Sequence, residues 1–117
     1  MPIEISILYS ILRDIASRPD IITYSELSHA YYAATNEWHD PHGSWDFPLG
    51  ELNIRLHDLG LPPLSAVVVL NETKEPGGRF WGSTPGIPPR PNNDLERTIS
   101  WSNIVNAVQA TRWPCAI

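Results

Sequence analysis

The stretch LGELNIRLHDLGLPPLSAVVVL, residues 49–70, decides the fold that the sequence predicts. Leucines recur along its first half at the spacing of one buried helical face. They are Leu49, Leu52, Leu56 and Leu59. Pro48 suits a first helical turn and Gly60 suits the cap that ends a helix. The sequence therefore predicts an α-helix over residues 48–60.

The second half of the stretch predicts a strand. Two prolines at 62–63 stop the helix, and the valine-rich run 64–70 is typical of a mostly buried strand. Residues 71–78 contain Asn, Pro and two Gly, which favours a polar turn. Residues 79–82 would then return as a second strand, so we expect a small antiparallel β-hairpin.

Upstream, two further helices are predicted. Apolar residues within 3–16 recur at helical spacing and indicate an amphipathic helix. Thr23 and Glu26 stand three residues apart, the spacing of a capping box, and indicate a second helix that ends near Asn36. Residues 37–47 show no period of either kind and predict a loop.

Downstream, residues 83–93 hold four prolines and predict an extended connector. Ser100 can cap a last helix that runs to about Thr111. With 117 residues, the chain fits one domain, residues 1–117. The predicted fold class is α+β, with about four helices and a small antiparallel hairpin sheet.

This order of elements resembles the C-terminal winged-helix domain of alkylguanine-DNA alkyltransferases and of the alkyltransferase-like proteins. Residues 22–27, with Thr-Tyr-Ser-Glu-Leu, and residues 49–82 carry the resemblance, which covers about half of the chain. The resemblance implies a winged-helix fold with the hairpin as its wing. It also implies that Tyr24 lies against the DNA backbone and that Arg55 is the basic residue of the recognition helix.

The family's reactive cysteine is missing at the matching position. The strand after the two prolines reads Ser65-Ala66-Val67-Val68-Val69, where the family has Pro-Cys-His-Arg. The resemblance therefore implies a fold and a possible DNA contact, without alkyl transfer.

Composition narrows the class of partner. Eight Lys and Arg against thirteen Asp and Glu give a net charge of -5, which disfavours non-specific attraction to nucleic acid. The single cysteine, Cys115, allows no disulfide within the chain. No apolar run is long enough to cross a bilayer and no signal peptide is visible, so the predicted location is the cytoplasm, without membrane association.

Two segments supply candidate binding residues. The loop 37–45 carries Trp38, His42 and Trp45, and the predicted wing carries Arg79, Phe80 and Trp81. Aromatic side chains offer large, stiff contact surfaces, although a small domain can equally use them to close its core. His39, Asp40 and His42 could hold a metal, but their spacing matches no zinc signature.

The sequence carries no catalytic signature that we recognise. Ser28 precedes His29 and Ser44 lies near His42, but neighbours in sequence do not make a triad, and no Gly-x-Ser-x-Gly elbow occurs. We therefore predict no enzyme, no catalytic residue, no cofactor and no metal.

Three hypotheses follow. The first is a non-catalytic binding module that acts on a protein partner as a regulator or inhibitor, for instance in conflict between phage and host. The second is an alkyltransferase-like DNA-binding protein that uses Tyr24 and Arg55. The third is a metal-dependent enzyme that uses the loop around His39 and His42.

Overall fold

Four α-helices dominate the fold. The computed structural model describes residues 2–117. The helices are α1 Ile5–Ser17, α2 Tyr24–Thr35, α3 Asp46–Asp58 and α4 Asp94–Ala110. Two short strands, β1 Ile22–Thr23 and β2 Val68–Val69, pair in parallel, and 3₁₀ turns cover Leu64–Val67 and Gly78–Phe80.

The predicted fold class is wrong. The chain is mostly helical, and among residues 2–117 the sheet consists of two parallel strands instead of an antiparallel hairpin. Ile22 pairs with Val68 and Thr23 pairs with Val69, and α2 and α3 make the connection between the strands. The described chain therefore has no wing.

Local backbone bonds explain why no hairpin forms. The amide of Leu70 donates to the Glu75 carbonyl at 2.8 Å, and the amide of Lys74 donates to the Leu70 carbonyl at 3.0 Å, so the chain closes into a tight loop directly after β2. Pro76 follows and has no amide proton for a ladder. Phe80 then donates its amide to the Gly77 carbonyl in a 3₁₀ turn, which takes residues 78–80 out of extended geometry.

The start and end of α2 are as predicted. The Thr23 hydroxyl accepts from the Glu26 amide at 3.1 Å, and the Glu26 carboxylate accepts from the Thr23 amide at 3.0 Å, which is a complete capping box. Asn36 ends the helix with a left-handed φ of 64°. Gly60 likewise has a φ of 75° just after α3. The α3 helix begins two residues before Pro48, which fits its first turn.

The last helix begins earlier than predicted. Asn93, not Ser100, is its N-cap, and the Asn93 side-chain oxygen accepts from the amides of Leu95 and Glu96. The first turns of α4 were missed because their apolar residues, Leu95 and Ile99, are exposed and add no buried stripe.

The segment Leu64–Val69 lies at the centre of the core. Every residue in it is buried, and its first part packs against α1, α3 and α4. The Trp101 indole on α4 donates to the Ala66 carbonyl at 2.8 Å and fixes the last helix to this segment. Because the central segment is buried along its whole length, the candidate sites lie on the elements around it.

Within residues 2–117, none of the helices is both long and apolar enough to span a membrane.

Candidate functional site

The loop 37–45 and the segment 76–79 meet over the first turns of α2 and α3. They line a cavity of about 380 Å³ together with Tyr24, Asp46 and Leu70. We call this cavity the Tyr24 cleft and define it by Tyr24, His42, Asp46, Gly77 and Arg79. Two segments that are more than thirty residues apart in sequence, and that both supplied candidate binding residues, thus share one surface.

An ion pair crosses the cleft. The Arg79 guanidinium lies 3.5 Å from the Asp46 carboxylate, and the Arg79 side chain is 83% exposed. Exposed pairs of this kind contribute only about 0–1 kcal/mol to stability. Asp46 lies in the first turn of α3, where the helix dipole favours its negative charge. Both charges can therefore exchange partners at little cost.

Tyr24 is a neutral hydrogen-bonding group. Burial raises the pKa of its hydroxyl above the ordinary value of 10.0, the nearby charge of Asp46 raises it further, and the Gly77 amide opposes both effects. The phenol therefore stays protonated at physiological pH. It can donate a hydrogen bond in the cleft, but it is not activated as a base or nucleophile.

Gly77 packs directly against this hydroxyl. A Cβ at position 77 would lie 2.9 Å from the Tyr24 hydroxyl oxygen and 3.5 Å from the ring carbon that carries it. The backbone of Gly77, with φ of -64° and ψ of 161°, is open to any residue. Steric contact with one oxygen atom is therefore what requires glycine here.

We predict that Gly77→Ala destabilises the protein by about 1–3 kcal/mol, as overpacking does. Adding Tyr24→Phe removes the clashing oxygen and leaves the ring carbon at an ordinary contact distance, so the double variant should recover most of that loss. Urea unfolding of the wild type, both single variants and the double variant measures this coupling. Additive losses would show that the two residues do not touch as described.

Buried polar groups lie beneath the cleft. Asn53 on α3 is 2% exposed, and its amide nitrogen donates to the Ser65 hydroxyl at 2.7 Å and to the Ser83 hydroxyl at 3.5 Å. Ser83 in turn donates to the Phe80 carbonyl at 2.7 Å. These bonds connect α3 to the 3₁₀ turn that contains Arg79, so they fix the positions of the two walls of the cleft relative to each other.

An open groove continues from the cleft along α3. Its volume is about 710 Å³, and it shares Gly43, Asp46 and Arg79 with the cleft. We call it the α3 groove and define it by Phe47, Gly50 and Ile54. Phe47 is 80% exposed and Ile54 is 53% exposed, and a Cβ at Gly50 would meet nothing within 4 Å. The groove is thus two apolar side chains on either side of a bare stretch of backbone.

Sequence reasoning missed Phe47 and Ile54. The sequence places Phe47 in the predicted loop 37–47, outside the predicted helix, and Ile54 falls off the leucine stripe of that helix. The signal was present, because two large apolar residues fall off that stripe at i and i+7, a helical spacing of their own.

The eight predicted binding residues fall into three groups. Tyr24, His42 and Arg79 line the Tyr24 cleft. Trp45 and Phe80 are core residues, 0% and 6% exposed, and offer almost no side-chain surface to a partner. The remaining three lie apart from the cleft: Trp38, Arg55 and Trp81.

Those three residues have local partners of their own. Arg55 pairs with Glu51 at 3.5 Å on α3. Trp81 is half-buried, with its ring centroid 5.2 Å from that of Phe80. Trp38 is 51% exposed and packs beside α2, 5.1 Å from the ring centroid of His29.

The histidine loop does not assemble a metal site. No three His, Cys, Asp or Glu side chains of residues 2–117 come together as metal ligands would. The His39 ring lies 5.3 Å from that of Tyr31 and 6.0 Å from that of Trp45, so it packs among aromatic rings. His42 is exposed at the mouth of the cleft.

Charge distinguishes this side of the molecule. From residue 19 to residue 54 the sequence contains no Lys or Arg, yet it contains six acidic residues. Of these six, Asp46 and Glu51 pair with arginines from elsewhere in the chain. The other four make no salt bridge among the described residues: Asp20, Glu26, Glu37 and Asp40. The surface formed by α2, the loop and the start of α3 is therefore anionic.

A second cavity, of about 610 Å³, lies between the end of α3 and α4. His57, Thr84 and Asn103 are among its lining residues. None of the eight predicted binding residues lines it, and it is separate from the exposed apolar residues of the α3 groove.

Comparison with known proteins adds no relative to this description. No protein-family model matches the chain, and neither a curated protein nor a solved structure matches it significantly.

Proposed function

We propose that this chain is a non-catalytic binding module that acts on a protein partner as a regulator or inhibitor. The contact surface is the α3 groove together with the Tyr24 cleft. The observation that carries the proposal is the 80% exposure of Phe47 beside Ile54, at the edge of an open groove. Burying such side chains against a partner contributes about 1.5–3 kcal/mol each.

The shape of the groove favours a protein over a small molecule. It is an open trough along a helix, whereas small-molecule sites enclose most of their ligand. A side chain of a partner can enter between Phe47 and Ile54, because Gly50 leaves the backbone uncovered. The Asp46–Arg79 pair and the Tyr24 hydroxyl add polar contacts at one end.

The charge around the groove favours a basic partner surface. Asp46 and Glu51 border the groove and pair with Arg79 and Arg55, so the excess negative charge near it comes from the four unpaired carboxylates of the segment 19–54, which contains no Lys or Arg. Complementary potentials speed encounter and exclude wrong partners. The same charge disfavours the phosphate backbone of DNA, and the hairpin on which a winged-helix docking mode depends does not form.

We predict that Phe47→Ser with Ile54→Ser weakens partner binding by about 30-fold or more, since two central apolar contacts of roughly 1 kcal/mol or more each are lost. The matched control is Leu95→Ser with Ile99→Ser, which removes two apolar side chains of similar exposure, 68% and 51%, from α4. The wild type and both double variants are each used to capture proteins from the native host. A candidate partner is a protein that the wild type and the α4 variant capture and the α3 variant does not. The affinity of the purified candidate is then measured for all three.

Equal affinity for the wild type and the α3 variant would reject the groove as the contact surface. Duplex DNA titrated at low salt and across a salt series is the second arm of the test. We expect no binding of duplex DNA at low salt. A DNA affinity that falls steeply as the salt concentration rises would instead favour the alkyltransferase-like alternative, with Tyr24 and Arg55 at the DNA backbone.

A further inference from the structure

Three aromatic side chains form an open corner on the outer side of α2. The ring planes of Tyr32 and Trp38 stand at 71°, with centroids 6.4 Å apart, and the His29 ring lies 5.1 Å from Trp38 on its other side. We call this the Tyr32–Trp38 corner. Tyr32 is 46% exposed and Trp38 is 51% exposed, so about half of each side chain faces solvent.

The corner is preorganised. His29 and Tyr32 are three residues apart on α2 and therefore project from one face of the helix. Trp38 rests between them through ring contacts, which fix an exposed side chain without burying it. Trp45 behaves differently in the same loop, because it is fully buried and its indole donates to the Ser28 hydroxyl. Closing the core therefore does not account for Trp38.

Three carboxylates lie near the corner in sequence, and among residues 2–117 no Lys or Arg makes a cation–π contact with its rings. Glu26 precedes His29 by three residues on α2, and Glu37 and Asp40 lie on either side of Trp38. None of these three carboxylates forms a salt bridge within residues 2–117. In the described part of the chain a cation–π contact forms elsewhere, where the Arg13 guanidinium lies 5.7 Å from the Tyr9 ring centroid.

We propose that the Tyr32–Trp38 corner binds a lysine or arginine side chain from a basic segment of the protein partner. The negative faces of the two rings attract the cation, and the carboxylates raise its local concentration. This inference rests on the proposed function, because it names the chemistry of the same partner at a second contact. The proposed ligand is a cationic protein segment, because its charge complements the anionic surface 19–54, whereas nucleic acid carries the same sign of charge as that surface.

The test uses octa-arginine as the probe and the full chain labelled with ¹⁵N. Trp38→Phe assigns the Trp38 indole signal among the five tryptophans. We expect octa-arginine to shift the Trp38 indole signal ahead of the other four, and Trp38→Leu to weaken binding by about 5- to 30-fold. Trp38→Phe keeps an aromatic face and should retain an intermediate affinity.

Trp38→Leu changes no charge, so it separates ring recognition from bulk attraction to an acidic protein. Equal affinity of the wild type and Trp38→Leu for octa-arginine would reject the corner as a cation-binding site. Shifts of equal size in all five indole signals would reject it as well. Leu95→Ser, on α4 and outside both proposed contacts, should leave octa-arginine binding unchanged. If Trp38→Leu does not change octa-arginine affinity but Phe47→Ser weakens partner binding, the proposed function stands without this inference. If Phe47→Ser does not change partner binding but Trp38→Leu weakens octa-arginine binding, only the α3 groove is wrong.

Discussion

Replacing Trp45 by alanine is expected to lower the free energy of unfolding by about 3–5 kcal/mol, the range for a large aromatic side chain lost from a core. Trp45 is 0% exposed and stands immediately before α3. Its ring lies 5.5 Å from that of Tyr31, and its indole nitrogen donates to the buried Ser28 hydroxyl at 2.8 Å. The variant would therefore leave a cavity and an unpaired hydroxyl between α2 and α3.

Urea unfolding followed by circular dichroism measures this loss. Trp38→Ala is the matched control, because it removes the same side chain from the same loop at a position that is 51% exposed, and it should cost about 1 kcal/mol or less. Trp45→Phe keeps much of the volume and removes only the donor, so an intermediate loss is expected. Similar losses for Trp45→Ala and Trp38→Ala would contradict the assignment of one to the core and the other to the surface.

The two tryptophans show where sequence reasoning stops. Both stand in a loop without periodicity, so no pattern tells which indole points inward. Burial of Trp45 depends on Tyr31 and Ser28 arriving from α2, which is a tertiary contact. The capping box at Thr23 could be predicted because both of its hydrogen bonds lie within four consecutive residues.

The prediction of an antiparallel hairpin was wrong for a related reason. A short apolar run such as 64–69 has no period that separates a strand from a buried turn, and its valine content favoured the strand. In the structure most of the run is a 3₁₀ turn, and the two residues that do form a strand pair with Ile22–Thr23, over forty residues away. Local pattern contains no information about that partner.

The candidate site was half predictable. The loop 37–45 and the predicted wing were each expected to carry binding residues, and one residue of each, His42 and Arg79, lines the Tyr24 cleft. Their meeting at the Tyr24 cleft could not be predicted from the sequence, since it depends on Phe80 turning into the core and drawing Arg79 toward Asp46.

Val68→Asp is expected to have the second large effect, because it places a carboxylate at the centre of the core. Val68 is 0% exposed, pairs with Ile22 in the sheet, and belongs to the buried run 64–69. An isolated charge there costs several kcal/mol, so the group would instead bind a proton and its pKa would rise in the folded state. We expect a loss of roughly 3–5 kcal/mol at pH 7, comparable with that of removing one partner of a buried ion pair.

The sign of the pH dependence identifies the cause. A carboxyl group whose pKa is higher in the folded state than in the unfolded state loses stability as the pH rises, so the penalty relative to the wild type should be smaller near pH 4 than at pH 7. Val68→Thr is the isosteric control: it buries a hydroxyl without a charge, costs about 1–3 kcal/mol, and should show no such pH dependence. A pH-independent loss for Val68→Asp would mean that the carboxylate reaches water, which is incompatible with a buried strand that pairs with β1 and packs against α2. The 3₁₀ turn that leads into this strand packs against α3 and so positions the α3 groove, because α3 can present Phe47 and Ile54 to a partner only while Leu52 and Leu56 stay buried on its inner side.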